Sequence, residues 1–528
     1  MSTVQRNMSL TGEPPKTINT QQKLASAIGL IGLAVLFLAL FNINFPNKTL
    51  WLTASLIAIG GGTVWFSIAA YRNKHEGIKN DGVYFKSLTS KGFWAWVLGI
   101  TLTLFYIVLY WFPQYLGLVQ DGDNKGLVAL FDPLSKFLNG GPASQWFVYG
   151  TLYTLAILAF GIKFILKYRH NKYEKLRTYS VMFFQLGFAF LIPELMQRLN
   201  SDSFSLPYYD LKNIWPLNYY NFEQYRVDQF ISAGDIGLAL LIFGIFSIFV
   251  ITPILTYKYG KRWYCSWVCG CGGLAETAGD PFRHLSDKRQ IAWKVERWVI
   301  HSVLVFVVLM TTAVVHSYLG DDSSKYWLTK DVFLISVAVI LTAVFAGTFI
   351  FKREQLQKDA RYGAIGYFVI IISLIGFHYF SGKTLFLFEA ETLRQSYGFL
   401  IGAVFSGVIG VGFYPIFGSR VWCRFGCPMA AILGFQQRLF SRFRITTNGG
   451  QCISCGNCST YCEMGIDVRA YAQKGENIVR SSCVGCGICS AVCPRGVLKL
   501  ENGALEKRID SNEILLGNDV DLMKYVNN

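Results

Sequence analysis

Eight of the 13 cysteines fall between residues 452 and 493, in two copies of one spacing. Cys452, Cys455, Cys458 and Cys462 read C-x2-C-x2-C-x3-C. Cys483, Cys486, Cys489 and Cys493 repeat it, and Pro494 follows. A cubane iron–sulfur cluster needs four thiolates aimed at one point. Short x2 spacers on tight loops containing Gly456, Gly485 and Gly487 turn three thiols that way. Zinc sites use C-x2-C pairs but rarely four cysteines in so dense a run, twice over. Disulfides suit an oxidising compartment, which the topology read below disfavours. The chemistry these residues point to is iron–sulfur ligation.

The doubled run resembles the bacterial two-cluster ferredoxin pattern, in which the fourth cysteine of each run ligates the other cluster. That resemblance implies Cys452, Cys455, Cys458 and Cys493 for a first [4Fe–4S] cluster. It implies Cys483, Cys486, Cys489 and Cys462 for a second, both in a small α+β unit over residues 429–500. One departure stands out: Glu463 follows Cys462 where a proline usually stands.

The other five cysteines lie in two matching segments. Gly260-Lys261-Arg262-Trp263-Tyr264-Cys265 continues through Cys269, Gly270 and Cys271. Gly418-Ser419-Arg420-Val421-Trp422-Cys423 continues through Cys427 and Pro428. Both read G-x-R-x-aromatic-C-x-aromatic-x-C, and both follow an apolar run, so they form an internal repeat. Cys265, Cys269, Cys423 and Cys427 are expected to meet as a metal site or third cluster at the membrane edge. Cys271 is an extra thiol that replaces Cys269 as a ligand or stays free. Thiol redox chemistry and plain burial of small apolar side chains are the alternatives.

These sites need a membrane scaffold. Of 528 residues 52% are hydrophobic and only 16% charged, with mean hydropathy +0.35, less charge than a soluble chain of this size carries. The expected fold is an all-α polytopic membrane protein with the small α+β ferredoxin domain attached. Ten spans are read near 24–43, 50–70, 92–112, 145–166, 178–197, 235–256, 298–317, 331–351, 362–381 and 398–418. Residues 1–23 are polar, and no cleavable signal is read there. Net charge is +16, but 39 of the 49 Lys and Arg fall in alternate connections and in the two ends. Basic loops stay in the cytoplasm, so both termini and the ferredoxin domain are expected there, in a bacterial inner membrane. That distribution argues for membrane topology and against nucleic acid. The divisions are 1–23, a five-span region 24–234, a membrane core 235–428, the ferredoxin domain 429–500 and a tail 501–528.

Ionisable groups near spans are costly and mark candidates for function. His316 and His378 lie at the outer ends of two spans, and Glu194 near the outer end of the fifth. They are the candidates for proton handling at a quinone; haem ligation by the two histidines is disfavoured. His284, His301 and Asp235 are weaker candidates. The outer loop 113–144 carries Asp121, Asp123 and Asp132. The loop 198–234 is rich in aromatics (Tyr208, Tyr209, Trp215, Tyr219, Tyr220) and reads as a re-entrant cap or a docking surface. Gly398 and Gly402 form a G-x3-G packing face. No Walker loop or dinucleotide fingerprint is present.

Two C-x3-C motifs at span ends, followed by a paired ferredoxin run, resemble the membrane polyferredoxins, which include NapH, NosR and CcoG. Members usually carry C-x3-C-P; Cys423 to Pro428 matches, and Cys265 to Gly270 lacks the proline. The resemblance covers about residues 235–500. NosR carries an outer flavin domain, CcoG an extra soluble domain, and NapH fewer spans, so the subtype stays open. What the resemblance implies is electron transfer at a membrane, with lipid, the quinone pool and a redox partner or respiratory complex as partners. The alternatives are an assembly factor that binds or reduces copper through the membrane thiols, and a non-catalytic relay or anchor subunit.

Overall fold

The computed structural model describes residues 18–43, 45–72, 86–201, 205–319, 326, 328–382 and 384–502, and the backbone of 515–516 and 520–521. Segments 1–23 and 501–528 fall largely outside those residues, as does most of the basic connection 71–91.

The chain runs α1 (Thr20–Leu40), α2 (Lys48–Tyr71), α3 (Phe93–Trp111), α4 (Gly126–Leu138), α5 (Gln145–Lys167), α6 (Lys172–Arg198) and α7 (Gly234–Tyr259). It continues with α8 (Gly270–Thr277), α9 (Gln290–Tyr318), α10 (Lys330–Gln355) and α11 (Lys358–Ser381). Then come α12 (Ala390–Tyr397), prolonged as a π-helix over Gly398–Ile409, and α13 (Pro428–Phe440). Among the described residues nine helices are long and apolar enough to cross a membrane: all of these except α4, α8, α12 and α13. Their apolar side chains point outward as well as inward. On α10, Ile335, Val339, Ile340, Val344 and Ile350 are all exposed. A helix apolar all round belongs in lipid.

The tenth expected span differs. Helix begins earlier, at Ala390, with Glu391 and Arg394 in its first turns. It ends at Ile409, where Gly410 and Gly412 let the chain turn instead of running on to 418. Its apolar part alone is shorter than a span.

Small residues set the helix contacts. The α1–α2 pair approaches so closely that a Cβ on Gly32 would lie 2.7 Å from the Ser55 carbonyl oxygen. Ser55 Oγ donates to the Gly32 carbonyl at 2.8 Å. Such contacts replace the hydrophobic effect, which lipid does not supply between helices. The Gly398–Gly402 face is filled by the Tyr219 ring, whose hydroxyl would lie 3.1 and 3.0 Å from added Cβ atoms. Pro193 in α6 and Pro253 in α7 each follow a π-helical stretch, Phe184–Leu191 and Ser247–Ile251. The widened turns accommodate a residue that lacks an N–H.

After α13 the chain leaves the helices. β1 (Arg444–Thr447) pairs antiparallel with β2 (Leu498–Glu501), Ile445 opposite Leu500. Between them lie α14 (Asn457–Thr460), α15 (Val468–Lys474) and α16 (Ile488–Ala491). The domain's core is continuous with that of the membrane-edge cysteine motifs.

Candidate functional site

The two membrane-edge motifs fold alike. Each opens on a glycine with positive φ, 69° at Gly260 and 95° at Gly418. A Cβ would lie 2.6 Å from the Phe443 Cβ at the first and 2.9 Å from the Ser286 nitrogen at the second. The Cys269 N–H donates to the Tyr264 carbonyl at 2.8 Å, and the Cys427 N–H to the matching Trp422 carbonyl at 2.9 Å. Each of these cysteines then caps a helix, α8 or α13.

Cys265, Cys269, Cys423 and Cys427 are buried in one cluster, with Cys271 packed against it. Burial pushes the Cys265 thiol up to about 12 against the pull of Lys261, with Cys269 and Cys423 adding to the rise. Burial raises Cys423 as well, and Cys427 further, where Cys423, Cys265 and Cys269 contribute. A hydrogen bond with Cys271 holds Cys269 at about 6 against its burial. The five thiols thus lie close enough to influence one another, a donor set that suits an iron–sulfur or soft-metal centre.

A residue without a sequence signal joins them. The loop expected on the outer face reaches the motif: Tyr264 Oη donates to the Lys212 carbonyl at 2.8 Å. Lys212 is buried, its Nζ donates to Gln185 Oε1 at 3.0 Å, and its charge favours the Cys269 thiolate. Trp215 of the same loop donates from Nε1 to Thr311 Oγ1 at 2.9 Å. The aromatic loop therefore packs against α9 and the first membrane-edge motif.

In the ferredoxin domain the two runs superpose in backbone logic. Gly456 and Gly487, φ 79° and 91°, open α14 and α16, which carry Cys458 and Cys489. The preceding left-handed position is Ser454 in the first run, φ 56°, and Gly485 in the second, φ 63°. Ser454 is exposed, so a side chain fits. A Cβ on Gly485 would lie 2.6 Å from the Arg262 Cβ. Cys452, Cys455, Cys458 and Cys493 line a single cavity. Cys458 is pushed up to about 12 by burial, with Cys493, Cys455 and Cys452 adding. Burial likewise raises Cys489, with Cys486, Cys483 and Cys462 adding. Cys493 of the second run thus joins the first three cysteines of the first run around one cavity, a donor set that fits an iron–sulfur cluster.

The second run is bound through its backbone to the first membrane motif, α13 and α6. The carbonyls of Ser481, Cys483, Val484 and Gly485 accept from Lys261 Nζ (3.3 Å), Gln437 Nε2 (2.8 Å), Ser266 Oγ (2.8 Å) and Tyr173 Oη (2.8 Å). Below them lies a buried ionic network. Glu463, in the position of the missing proline, accepts from Arg283 Nη1 at 2.7 Å and Arg420 Nε at 2.9 Å. Burial would raise its carboxyl, but Arg283 and Arg420 hold it below the usual carboxylate range. Arg420 also pairs with Glu276 and donates to the Cys265 carbonyl (3.2 Å) and Cys423 Sγ (3.5 Å). Arg283 and Lys167 hold Asp280 at 3.0 and 2.8 Å, and Arg177 joins Glu174 to Glu276. Glu276, Glu463 and Cys486 offer donor atoms within 4.8 Å of one another. With arginines already on both carboxylates, this trio belongs to the ionic network.

On the other side of the helices, His316 and His378 meet edge to face, ring centroids 4.8 Å apart. Glu194 has different company: Asn139 Nδ2 donates to its Oε2 at 2.8 Å. The structure gathers the two histidines and leaves Glu194 in its own polar pocket.

Comparison with known proteins fits this geometry. A family profile described as a 4Fe-4S dicluster domain matches residues 451–498. One described as a 4Fe-4S binding domain matches twice, at 241–289 and 399–446, once over each membrane-edge motif. The chain is 24% identical over 208 residues to the Escherichia coli (strain K12) protein named "Putative electron transport protein YccM". The match covers 39% of this chain and 43% of that protein. No solved structure matches. The chain thus carries iron–sulfur binding domains of two kinds, one at the doubled cysteine run and one repeated at the membrane edge.

Proposed function

We propose that this is a membrane electron-transfer protein in which three cysteine sets stand in line. Cys265, Cys269, Cys423 and Cys427 hold a membrane-edge centre. Cys462, Cys483, Cys486 and Cys489 hold the next, and Cys452, Cys455, Cys458 and Cys493 the one nearest solvent. When bound, each cluster supplies one-electron redox chemistry. The protein fixes their order and excludes water from the inner two sets. The observation that carries this reading is that Lys261 and Ser266 of the first membrane motif donate to the Ser481 and Val484 carbonyls at the second run. It supports placing the second run, with Cys462, nearer the membrane edge than Cys452, Cys455 and Cys458. The 4Fe-4S profile over both membrane-edge motifs and the likeness to a protein named for electron transport support it.

The same reading includes ten crossings, with both chain ends and the ferredoxin domain in the cytoplasm. Parity supports it, because the Cys265 and Cys423 motifs meet at one face. An even number of crossings must separate them, so α12 with its π-helical extension crosses after α9, α10 and α11. The electrons come from, or go to, a membrane partner such as the quinone pool, with His316 and His378 as candidate proton acceptors.

The test is iron analysis and anaerobic EPR of purified protein, first with a menaquinol analogue and then with dithionite. The expected result is about twelve iron atoms per chain, falling by about four in Cys265→Ser or Cys423→Ser, and cluster signals appearing with the quinol. Eight iron atoms in the native chain, unchanged by either substitution, would remove the membrane-edge centre. Reduction by dithionite alone would remove the quinol as donor. The hydrogen-bonded Cys269–Cys271 pair also favours a second reading, a soft-metal site for copper. Tight copper binding lost in Cys271→Ser would establish that role instead.

A further inference from the structure

α9 and α11 are separated in the chain by the single span α10, so they run in the same direction. Each carries a histidine in its last turn, His316 and His378. Both side chains are half-buried, and their ring centroids lie 4.8 Å apart with the planes at 89°. Beneath them Ala313, Leu334, Ile371 and Ile375 form an apolar core shared by α9, α10 and α11. The carbonyl end of a helix carries partial negative charge, so two such ends side by side favour a cation. Asp331, in the first turn of α10, adds a full negative charge that acts on His316, and Lys330 beside it acts the opposite way. Imidazole nitrogen binds zinc at about 2.0–2.1 Å, which puts the centroids of two imidazoles on one tetrahedral ion about 5 Å apart. The observed separation matches that spacing. Imidazoles on opposite sides of a haem iron would stand about 6 Å apart, wider than this pair.

We propose that His316 and His378 bind a divalent metal ion of the zinc type at the ends of α9 and α11 remote from the cysteine motifs, with Asp331 of α10 as the charged partner. A plain ring contact explains the spacing without an ion; the two carbonyl ends and Asp331 are what favour the ion. Imidazole and carboxylate together are a donor set that zinc accepts. The ion ties three spans together at one end. It occupies both imidazoles, so a molecule that holds it cannot use them for protons. The inference rests on the geometry of the pair and its surroundings and stands apart from the redox reading.

The experiment is equilibrium dialysis of the full, iron–sulfur-loaded chain in detergent against zinc chloride, with zinc counted per chain, and a thermal melt with and without zinc. The cysteine sets can also take zinc, so the readout is the difference between native protein and the histidine variants. The expected result is about one more zinc per chain in the native protein than in His316→Gln or His378→Gln. Asp331→Asn should weaken that binding by about tenfold. His316→Cys, which offers a thiolate in place of the imidazole, should keep the ion. Zinc should raise the thermal midpoint of the native protein and of His316→Cys, and leave the two Gln variants unmoved. Equal zinc in the native protein and the Gln variants would overturn the proposal. So would Gln variants that melt below the native protein by the same margin with and without zinc, since the pair would then be a packing contact.

Discussion

Lys212 comes from a loop that reads as outer-face, yet its Nζ would lie 2.7 Å from a Cβ on Gly270, beside the cysteine pocket. Taking a cation out of water is costly unless negative charge compensates it. Around Lys212 that compensation comes from Asp210 and the Cys269 thiolate, while Gln185 Oε1 accepts from its Nζ. Removing its positive charge should destabilise the reduced, more negative form of any centre held there. Lys212→Met is therefore expected to lower the reduction potential of the membrane-edge centre by on the order of 100 mV, the effect of a unit charge a few ångströms away at an effective dielectric near 20. A redox titration followed by EPR measures it. The ferredoxin-domain potentials should stay in place, and an unchanged membrane-edge potential would make Lys212 a purely structural residue.

At the scale of elements, the ferredoxin domain and the membrane-edge region act as one unit because Glu463, at the end of the first cysteine run, binds both Arg283 and Arg420. Arg283 lies between α8 and α9, Arg420 in the second motif, and both are fully buried. Glu463→Gln would leave two guanidiniums short of a counter-charge, and breaking a buried pair from one side costs about 3–5 kcal/mol. The expected outcome is a lower thermal midpoint and earlier iron loss on chelator challenge, with the second cluster lost before the first. Simultaneous loss of both would show that Glu463 stabilises the domain as a whole. The sequence signalled this residue only as an absent proline. The cysteine sets were legible because metal ligation fixes spacing within a short segment. The two-motif repeat was legible because glycine, arginine and aromatic recur at the same offsets. Glu276, Arg283 and Lys212 were not, since their pairing is created by helices that meet far from one another in sequence. Glu194, His316 and His378 were chosen by position in the spans alone, which could not tell that the two histidines touch and Glu194 does not.

For the whole molecule, the contest is between hydropathy and parity. Hydropathy gives nine crossings, because Glu391 and Arg394 dilute the first turns of α12. Nine would put the Cys265 and Cys423 motifs on opposite faces of the bilayer, whereas Arg420 of the second donates to the Cys265 carbonyl of the first at 3.2 Å. The charged turns need not enter the hydrocarbon, since Arg394 is satisfied at the interface by Glu391 and lies 3.7 Å from Glu223. From Gly398 onward the helix has Tyr219 and Tyr110 against its glycine face, so protein and not lipid covers much of it. A crossing shielded in that way tolerates a weaker apolar run. Green fluorescent protein fused after residue 502 should then fluoresce, and alkaline phosphatase fused there should be inactive. The reverse pattern is expected for fusions after residue 382, between α11 and α12. Fluorescence at both positions would mean that α12 does not cross. The motifs could then meet only across a re-entrant segment, and the order of the three cysteine sets would have to be redrawn.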